Sequence, residues 1–411
     1  MTLSRSDASA LLSAAAVRER AHELLEIALA GGLDAWRVHL DRLPETAAFV
    51  AEVIRARYPD LSVPFHARWR HFVLGGQDLW GARANRTHWP DAAARGRAEF
   101  DLAITSVLLD AGAGGRWRYE DPDTGLGAAR SEGLAIASLR LFEQGVLSAA
   151  PQDTLRADAR ILENLGENVL AQAFQASPEN PLVGLDGRAD LLRRLGVRAN
   201  ARADLFGLAD APRPGGLFDA MAARSERRRL PAPVILEVLL EALGPIWPER
   251  LTLDGTPLGD CWRHPAIRRD DATDGLVPLH KLSQWLAYSL IEPLEAAGLD
   301  VIEVDGLTGL AEYRNGGLFL DRGVLQLADP ADAERSHAVG DPLVVGWRAL
   351  TVALLDRIAP LVRDHLGVPA ADFPLARVLE GGTWAAGRLA AKAARADGGP
   401  PLTIISDGTV F

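Results

Sequence analysis

Apolar residues return every three or four positions over long stretches of this chain and seldom alternate. That period belongs to helices with one buried face. Between Asp7 and Ala30, Leu11, Leu12, Leu24, Leu25 and Ala28 form such a stripe, and Gly31-Gly32 stops it. Pro44 opens a second helix with Phe49, Val50, Val53 and Ile54, closed by Pro59. Residues 91–109 read as a longer helix carrying Phe100, Ile104, Val107 and Leu108, ended by Gly112, Gly114 and Gly115. The same period recurs over 132–142, 154–174, 188–195, 234–243, 278–294, 343–366 and 375–394.

Strand signals are short. Trp117 to Tyr119 precedes the turn Asp123-Thr124-Gly125, and Leu251-Thr252-Leu253 runs into the hairpin dipeptide Asp254-Gly255. Val301 to Val304 ends at Asp305-Gly306, and residues 402–405 are expected to pair with Val410-Phe411 across Asp407-Gly408. The pattern therefore predicts a mainly α protein with one or two small β ribbons and no repeat architecture. Residues 209–233, rich in Pro, Gly, Arg and Ala, are expected to separate an N-terminal helical lobe (1–207) from a C-terminal one (234–411).

Composition narrows the class. The 411 residues hold 44 Lys+Arg and 55 Asp+Glu, a formal charge of −11, which argues against a nucleic-acid backbone as partner. Hydrophobic residues make up 48% and charged ones 24%, as in an ordinary globular protein. The single Cys261 cannot form an internal disulfide and fits a reducing, cytoplasmic setting. No secretory leader and no apolar run long enough to span a bilayer is read.

Walker loops, GxSxG elbows, HExxH and CxxC pairs are missing, so chemistry must be sought in loops dense in Gly, Trp, His and charge. In Pro64–Phe72, His66, Arg70 and His71 stand among aromatics; packing, ligand binding by Arg70 or His66, and a metal site all remain open. In Gly259–Pro265, Asp260, Cys261, Trp262 and His264 suit a pocket-lining loop, though a nucleophilic Cys or a metal ligand pair is also compatible. Lys281, Gln284, Trp285 and Tyr288 fall at i, i+3, i+4 and i+7, one helix face, where a pocket wall or a snorkelling Lys explains the polarity. The segment Asp305–Asp321 sets Glu312-Tyr313-Arg314 between glycine turns. Apolar neighbours would raise the Glu312 pKa toward that of a general base, unless Arg314 simply pairs with it. Trp347-Arg348 inside a helix and Asp407 in the tail supply a further cation and carboxylate.

Several segments resemble one family across nearly the whole chain: 64–76, Asn180-Pro181-Leu182-Val183-Gly184-Leu185, Arg213-Pro214-Gly215-Gly216-Leu217-Phe218-Asp219, 259–265, 280–291, 306–320 and Leu379-Glu380-Gly381-Gly382-Thr383-Trp384. They look like the uracil-catabolism family of bacteria and fungi, part of a pyrimidine-degradation route through ribosylurea. A fainter resemblance covers roughly the last 140 residues. His280-Lys281-Leu282-Ser283-Gln284, Ala311-Glu312-Tyr313-Arg314 and Trp347-Arg348 are similar in order and spacing to motifs of the queuosine-salvage N-glycosidases. Glu312 replaces the Asp of that family. The resemblance implies a helical two-lobed fold related to helix-hairpin-helix DNA glycosylases, with the site between the lobes.

Together these resemblances imply cleavage of the N-glycosidic bond of ribosylurea, or of its 5′-phosphate, to urea and ribose or its phosphate. Glu312 is the implied catalytic carboxylate and Lys281 its positioning or proton-donating partner. Tyr313 or Trp285 would pack on sugar or urea, Arg314, Arg348 or Arg70 would hold a phosphate, Asp260 would accept urea N–H bonds, and Trp262, Gln284 and His66 would line the site. The implied substrate is a small nucleoside derivative, with no cofactor, metal, nucleic acid or membrane involved, and the oligomeric state is left open. Two alternatives stand beside it: a metal-dependent amidohydrolase using His66, His71, Asp110 and His264, and a non-catalytic binding protein of the same route.

Overall fold

The computed structural model describes residues 7–110, 112–207, 211–247 and 250–405. The helical period predicts most of its helices, and the departures have local causes. The first stripe breaks into Asp7–Leu11 and Ala14–Leu29, because the Ser13 side chain accepts the Ala16 N–H at 3.2 Å and starts a new helix. Pro44 sits in the first turn of Leu43–Arg57, and Asp91 caps Ala92–Leu108 through the Ala94 N–H. The stripe over 154–174 resolves into Ala159–Glu163 and Glu167–Ala173, with Gly166 between them in an extended conformation. The stripe over 375–394 becomes a short turn at Leu375–Arg377, a wider π-type turn at Val378–Thr383 and the helix Trp384–Ala394.

Two segments read as loops are partly helical. Within 209–233 lies Gly216–Ala223, which buries Leu217, Phe218 and Met221; residues 209 and 210 are outside the described set. The glycine-rich segment after Asp305 contains the helix Tyr313–Asp321. A Cβ on its Gly316 would lie 2.7 Å from Trp347 Nε1 and 2.8 Å from Thr351 Oγ1. The glycine there allows two helices to approach closely, and is not a turn signal.

Among the described residues, strands are two or three residues long and pair only in twos. The Asp254-Gly255 hairpin joins Thr252–Leu253 to Thr256–Pro257, with both turn residues at positive φ. Asp300–Ile302 pairs in parallel with Arg229–Pro231. Thr403–Ile405 pairs in parallel with Ser336–Ala338; its expected partner, Val410-Phe411, lies outside the described residues. The protein is thus mainly α with small β ribbons, and no described helix is long and apolar enough to cross a membrane.

By its contacts the chain groups into two units. Among the described residues, one takes 7–66, 250–284 and 303–405, and the other takes 67–247 and 285–302. This grouping interleaves chain segments, whereas the lobes read from sequence cut the chain once. In the first unit the long helix Pro342–Leu366 packs on Ala14–Leu29 and Leu43–Arg57, and Tyr313–Asp321 packs on Trp384–Ala394. In the second, Ala92–Leu108 packs on Arg130–Glu143 and on Gly216–Ala223, with Phe218 against Gly96.

Candidate functional site

Asp260 stands at the start of the short strand Cys261–Arg263, which pairs antiparallel with Leu276–Pro278. That pairing brings Asp260 to the N-terminus of the helix Lys281–Ala296. Its backbone oxygen accepts the Leu279 and His280 N–H groups, and Oδ2 accepts the Lys281 N–H at 2.9 Å. Arg348, on the long helix, donates Nη1 to Oδ1 and Nη2 to Oδ2, each at 2.8 Å, and Trp262 Nε1 donates to Oδ1 at 2.6 Å. Burial opposes the charge on Asp260, but the Arg348 guanidinium together with the Trp262 and Lys281 N–H groups outweighs it and holds the carboxyl well below its usual range. Arg348 also donates Nε to the Ala311 carbonyl at 3.2 Å, so one guanidinium ties the Asp260 turn to the residue before Glu312. His280, just before the helix, is held at φ +48° with its Nε2 against the Leu11 carbonyl at 3.0 Å. A buried non-glycine residue in that region is strained and needs such fixing.

Glu312 caps the helix Tyr313–Asp321. Oε2 accepts the Arg314 N–H at 2.7 Å and Oε1 accepts the Asn315 N–H at 2.6 Å. Burial raises its proton affinity above the usual carboxylate range; the two N–H donors and the charges of Lys281 and His66 pull the other way and do not cancel it. Lys281 and His66 are therefore both close enough to act electrostatically on this carboxylate. A carboxylate offers about four acceptor positions, and capping uses two of them.

Two carboxamides stand beside this loop. Gln284 Oε1 accepts the Thr308 N–H at 3.3 Å, and Asn315 Nδ2 donates to the Leu310 carbonyl at 3.4 Å. The backbone partners fix which way each amide points. Gln284 Nε2 and Asn315 Oδ1, one donor and one acceptor, are left buried without a protein partner. Both side chains are fully buried, where an unsatisfied polar atom costs about 1–3 kcal/mol.

His66 and Glu380 form a buried pair, Nδ1 to Oε2 at 2.7 Å. The His66 ring lies 6.0 Å from that of Trp384. Glu380 sits in the π-type turn, a wide turn often found at functional sites.

The remaining candidates have other partners. Arg314 runs its Nη1 to the Gly398 carbonyl at 2.9 Å and its guanidinium over the Tyr313 ring at 4.9 Å; its bond to Glu312 is through its backbone N–H, not as an ion pair. Arg250 stacks over Trp262 at 5.0 Å. In the second unit, Arg70 donates Nη2 to both oxygens of Glu292, and Trp285 packs under Arg68 at 5.6 Å and against His71 at 5.5 Å. Arg68 also holds Asp110 at 2.8 Å. His264 Nδ1 accepts the Ala266 N–H at 3.1 Å. Among the described residues, no three His, Cys, Asp or Glu side chains gather in a way that could hold a metal, so His66, His71, Asp110 and His264 do not form the cluster a metal-dependent reading asks for. Cys261 is a core residue beside Ala8, Leu11, Leu258 and Leu276. Burial pushes its thiol up to about 12, the opposite of what a nucleophile needs.

The family described as "Protein of unknown function (DUF1688)" matches residues 10–411. The chain belongs to this family. A protein of Schizosaccharomyces pombe named "Protein urg3" is 36% identical over 98% of this chain and 98% of its own length. A protein of Lachancea kluyveri named "Uracil catabolism protein 4" is 37% identical over 92% of each chain. The uracil-catabolism resemblance read from the sequence is borne out at the level of the family.

Sequence reasoning missed Thr308, Asn315 and Glu380. Asn315 follows the quoted Glu-Tyr-Arg triplet directly, and its signal was masked by reading Gly316-Gly317 as a turn. Glu380 was quoted only as part of a family segment; nothing in the linear pattern ties it to His66, 314 positions away.

Proposed function

We propose that this protein acts in uracil or pyrimidine catabolism as an N-glycosidase, cleaving ribosylurea or its 5′-phosphate to urea and ribose or ribose phosphate. The observation that carries this reading is the buried Glu312 carboxylate under the charges of Lys281 and His66, flanked by an orphaned carboxamide donor and acceptor. The name of the Lachancea kluyveri relative supplies the metabolic setting, and the motif likeness to nucleoside N-glycosidases supplies the bond.

The chemistry is consistent with those residues. Breaking an N-ribosyl bond develops positive charge on the sugar, which a fixed carboxylate stabilises while it orients a water molecule. Glu312 suits that role because its backbone bonds fix its position and burial raises its basicity. Lys281 positions the carboxylate and tempers its proton affinity. A ureido group carries both C=O and N–H, the complement of Gln284 Nε2 and Asn315 Oδ1. The Asp260–Arg348 pair acts as a strut: both partners are committed to one another and to backbone, so neither serves as the phosphate or urea contact that sequence alone suggested.

The test is to incubate the purified protein with ribosylurea and with its 5′-phosphate and to assay urea. Release from either one above the Glu312→Gln control is the expected result. No urea from either substrate overturns the reading.

A further inference from the structure

Urea is a poor leaving group as an anion, so the departing nitrogen needs a proton as the C1′–N bond breaks. Glu312 sits in the role of stabilising charge and receiving a proton from water. A second, separately held group has to give one. The His66–Glu380 pair has the construction of such a group.

The pair is built by close packing. In the π-type turn Val378–Thr383, a Cβ on Gly381 would lie 2.9 Å from Val63 Cγ1, and one on Gly382 would lie 2.7 Å from Val50 Cγ1. The two glycines let the turn seat directly on the helix Leu43–Arg57 and on the extended segment that carries His66, and Glu380 is held between them. Arg57 donates Nη1 to the Glu380 carbonyl at 2.9 Å and sets Nη2 3.8 Å from Oε1. The other carboxylate oxygen takes His66 Nδ1, while the His66 N–H is fixed on the Ala376 carbonyl at 3.1 Å. A carboxylate only accepts, so Nδ1 carries a hydrogen in either charge state of the ring. The labile proton is then the one on Nε2. Charged groups acting around this ring include Glu380 from the turn, Arg57 behind it and Glu312 at the candidate site.

We propose that His66 is the general acid of the reaction and that Glu380 is its positioning residue. This rests on the N-glycosidase reading above. The C1′–N bond breaks, its electron pair goes to the urea nitrogen, and that nitrogen takes the Nε2 proton of the His66 imidazolium. Water adds to C1′ and gives a proton to the Glu312 carboxylate; solvent returns that proton to the imidazole. Ribosylurea and water give urea and ribose, with nothing else consumed.

The experiment compares two leaving groups. With ribosylurea, His66→Gln is expected to lower kcat/KM by about 100-fold or more. With 4-nitrophenyl β-D-riboside, whose leaving group needs no proton, the loss is expected to stay within about 5-fold, while Glu312→Gln suppresses both reactions. Glu380→Gln is expected to repeat this split in weaker form, with about a 10-fold loss of kcat/KM on ribosylurea and a loss within about 2-fold on the nitrophenyl riboside. This second variant also serves if His66→Gln does not fold. Equal losses on both substrates for His66→Gln, or for Glu380→Gln, overturn the proposal and leave the hydrolase reading standing. A wild-type protein that releases urea from neither form of ribosylurea overturns the hydrolase reading, and the role of His66 falls with it.

Discussion

Asp260 and Glu312 are both carboxylates less than a tenth exposed, at 9% and 7%, and each caps the start of a helix. Their proton affinities nevertheless move in opposite directions. Asp260 has a bidentate guanidinium, an indole N–H and a backbone N–H, and stays ionised far below its usual range. Glu312 accepts two backbone N–H bonds and feels the charges of Lys281 and His66, and burial wins. What Asp260 has in addition is the two-point contact of the Arg348 guanidinium. One carboxylate is neutralised in place and fixes geometry; the other keeps acceptor capacity and a proton affinity that chemistry can use.

The sharpest way to break the comparison is to remove each charge in turn. Glu312→Gln keeps the size of the side chain and is expected to lower kcat/KM on ribosylurea by about 1000-fold, or about 4 kcal/mol of barrier, with the folded state retained by circular dichroism. A loss of only a few-fold would mean that Glu312 is a helix cap and nothing more. Asp260→Asn is expected to act on stability first. It leaves the Arg348 guanidinium buried without a countercharge, a change that costs about 3–5 kcal/mol in comparable pairs. Urea unfolding should show the midpoint falling at unchanged slope. If Asp260→Asn were as stable as wild type and inactive, the roles assigned to the two carboxylates would have to be exchanged.

How far this contrast is visible in the sequence depends on range. The mainly α class and most helix positions follow from local period, and the Asp254-Gly255 hairpin follows from turn chemistry. Glu312, Lys281 and His66 stand out as polar residues in apolar or glycine-rich company. What the linear pattern hides is pairing over distance: Asp260 with Arg348, His66 with Glu380, and Thr403–Ile405 with Ser336–Ala338. Gly316 misleads for the same reason, because its purpose is a contact with Trp347 on another helix. The assignment of Arg70 and Arg348 to a phosphate also fails to foresee that Glu292 and Asp260 already engage them.

A smaller effect sharpens the comparison from the side of the cation. The Lys281 charge lowers the proton affinity of Glu312, as the Arg348 charge does for Asp260. Lys281→Met is therefore expected to lower kcat/KM by about 10- to 100-fold and to move the acid limb of the pH profile upward, because the carboxylate then protonates more easily. A lower rate with an unmoved acid limb would separate Lys281 from Glu312.

The smallest effect is on stability against pH, and its sign distinguishes the two carboxylates. The folded pKa of Asp260 is depressed, so its contribution is present above the ordinary Asp value and fades as pH falls toward the folded value. The folded pKa of Glu312 is raised, so its contribution is full below the ordinary Glu value and is lost as pH rises through the folded one. Glu312→Gln removes that loss, and it also removes one of the two cap bonds, worth about 1 kcal/mol. The variant should therefore be less stable than wild type by about that amount near pH 4, and the gap should narrow toward pH 8. Unfolding free energies measured at both pH values for the two proteins give the slope directly. A gap between them that widens as pH rises would mean that Glu312 is stabilised as a carboxylate, like Asp260, and the contrast between the two would be lost.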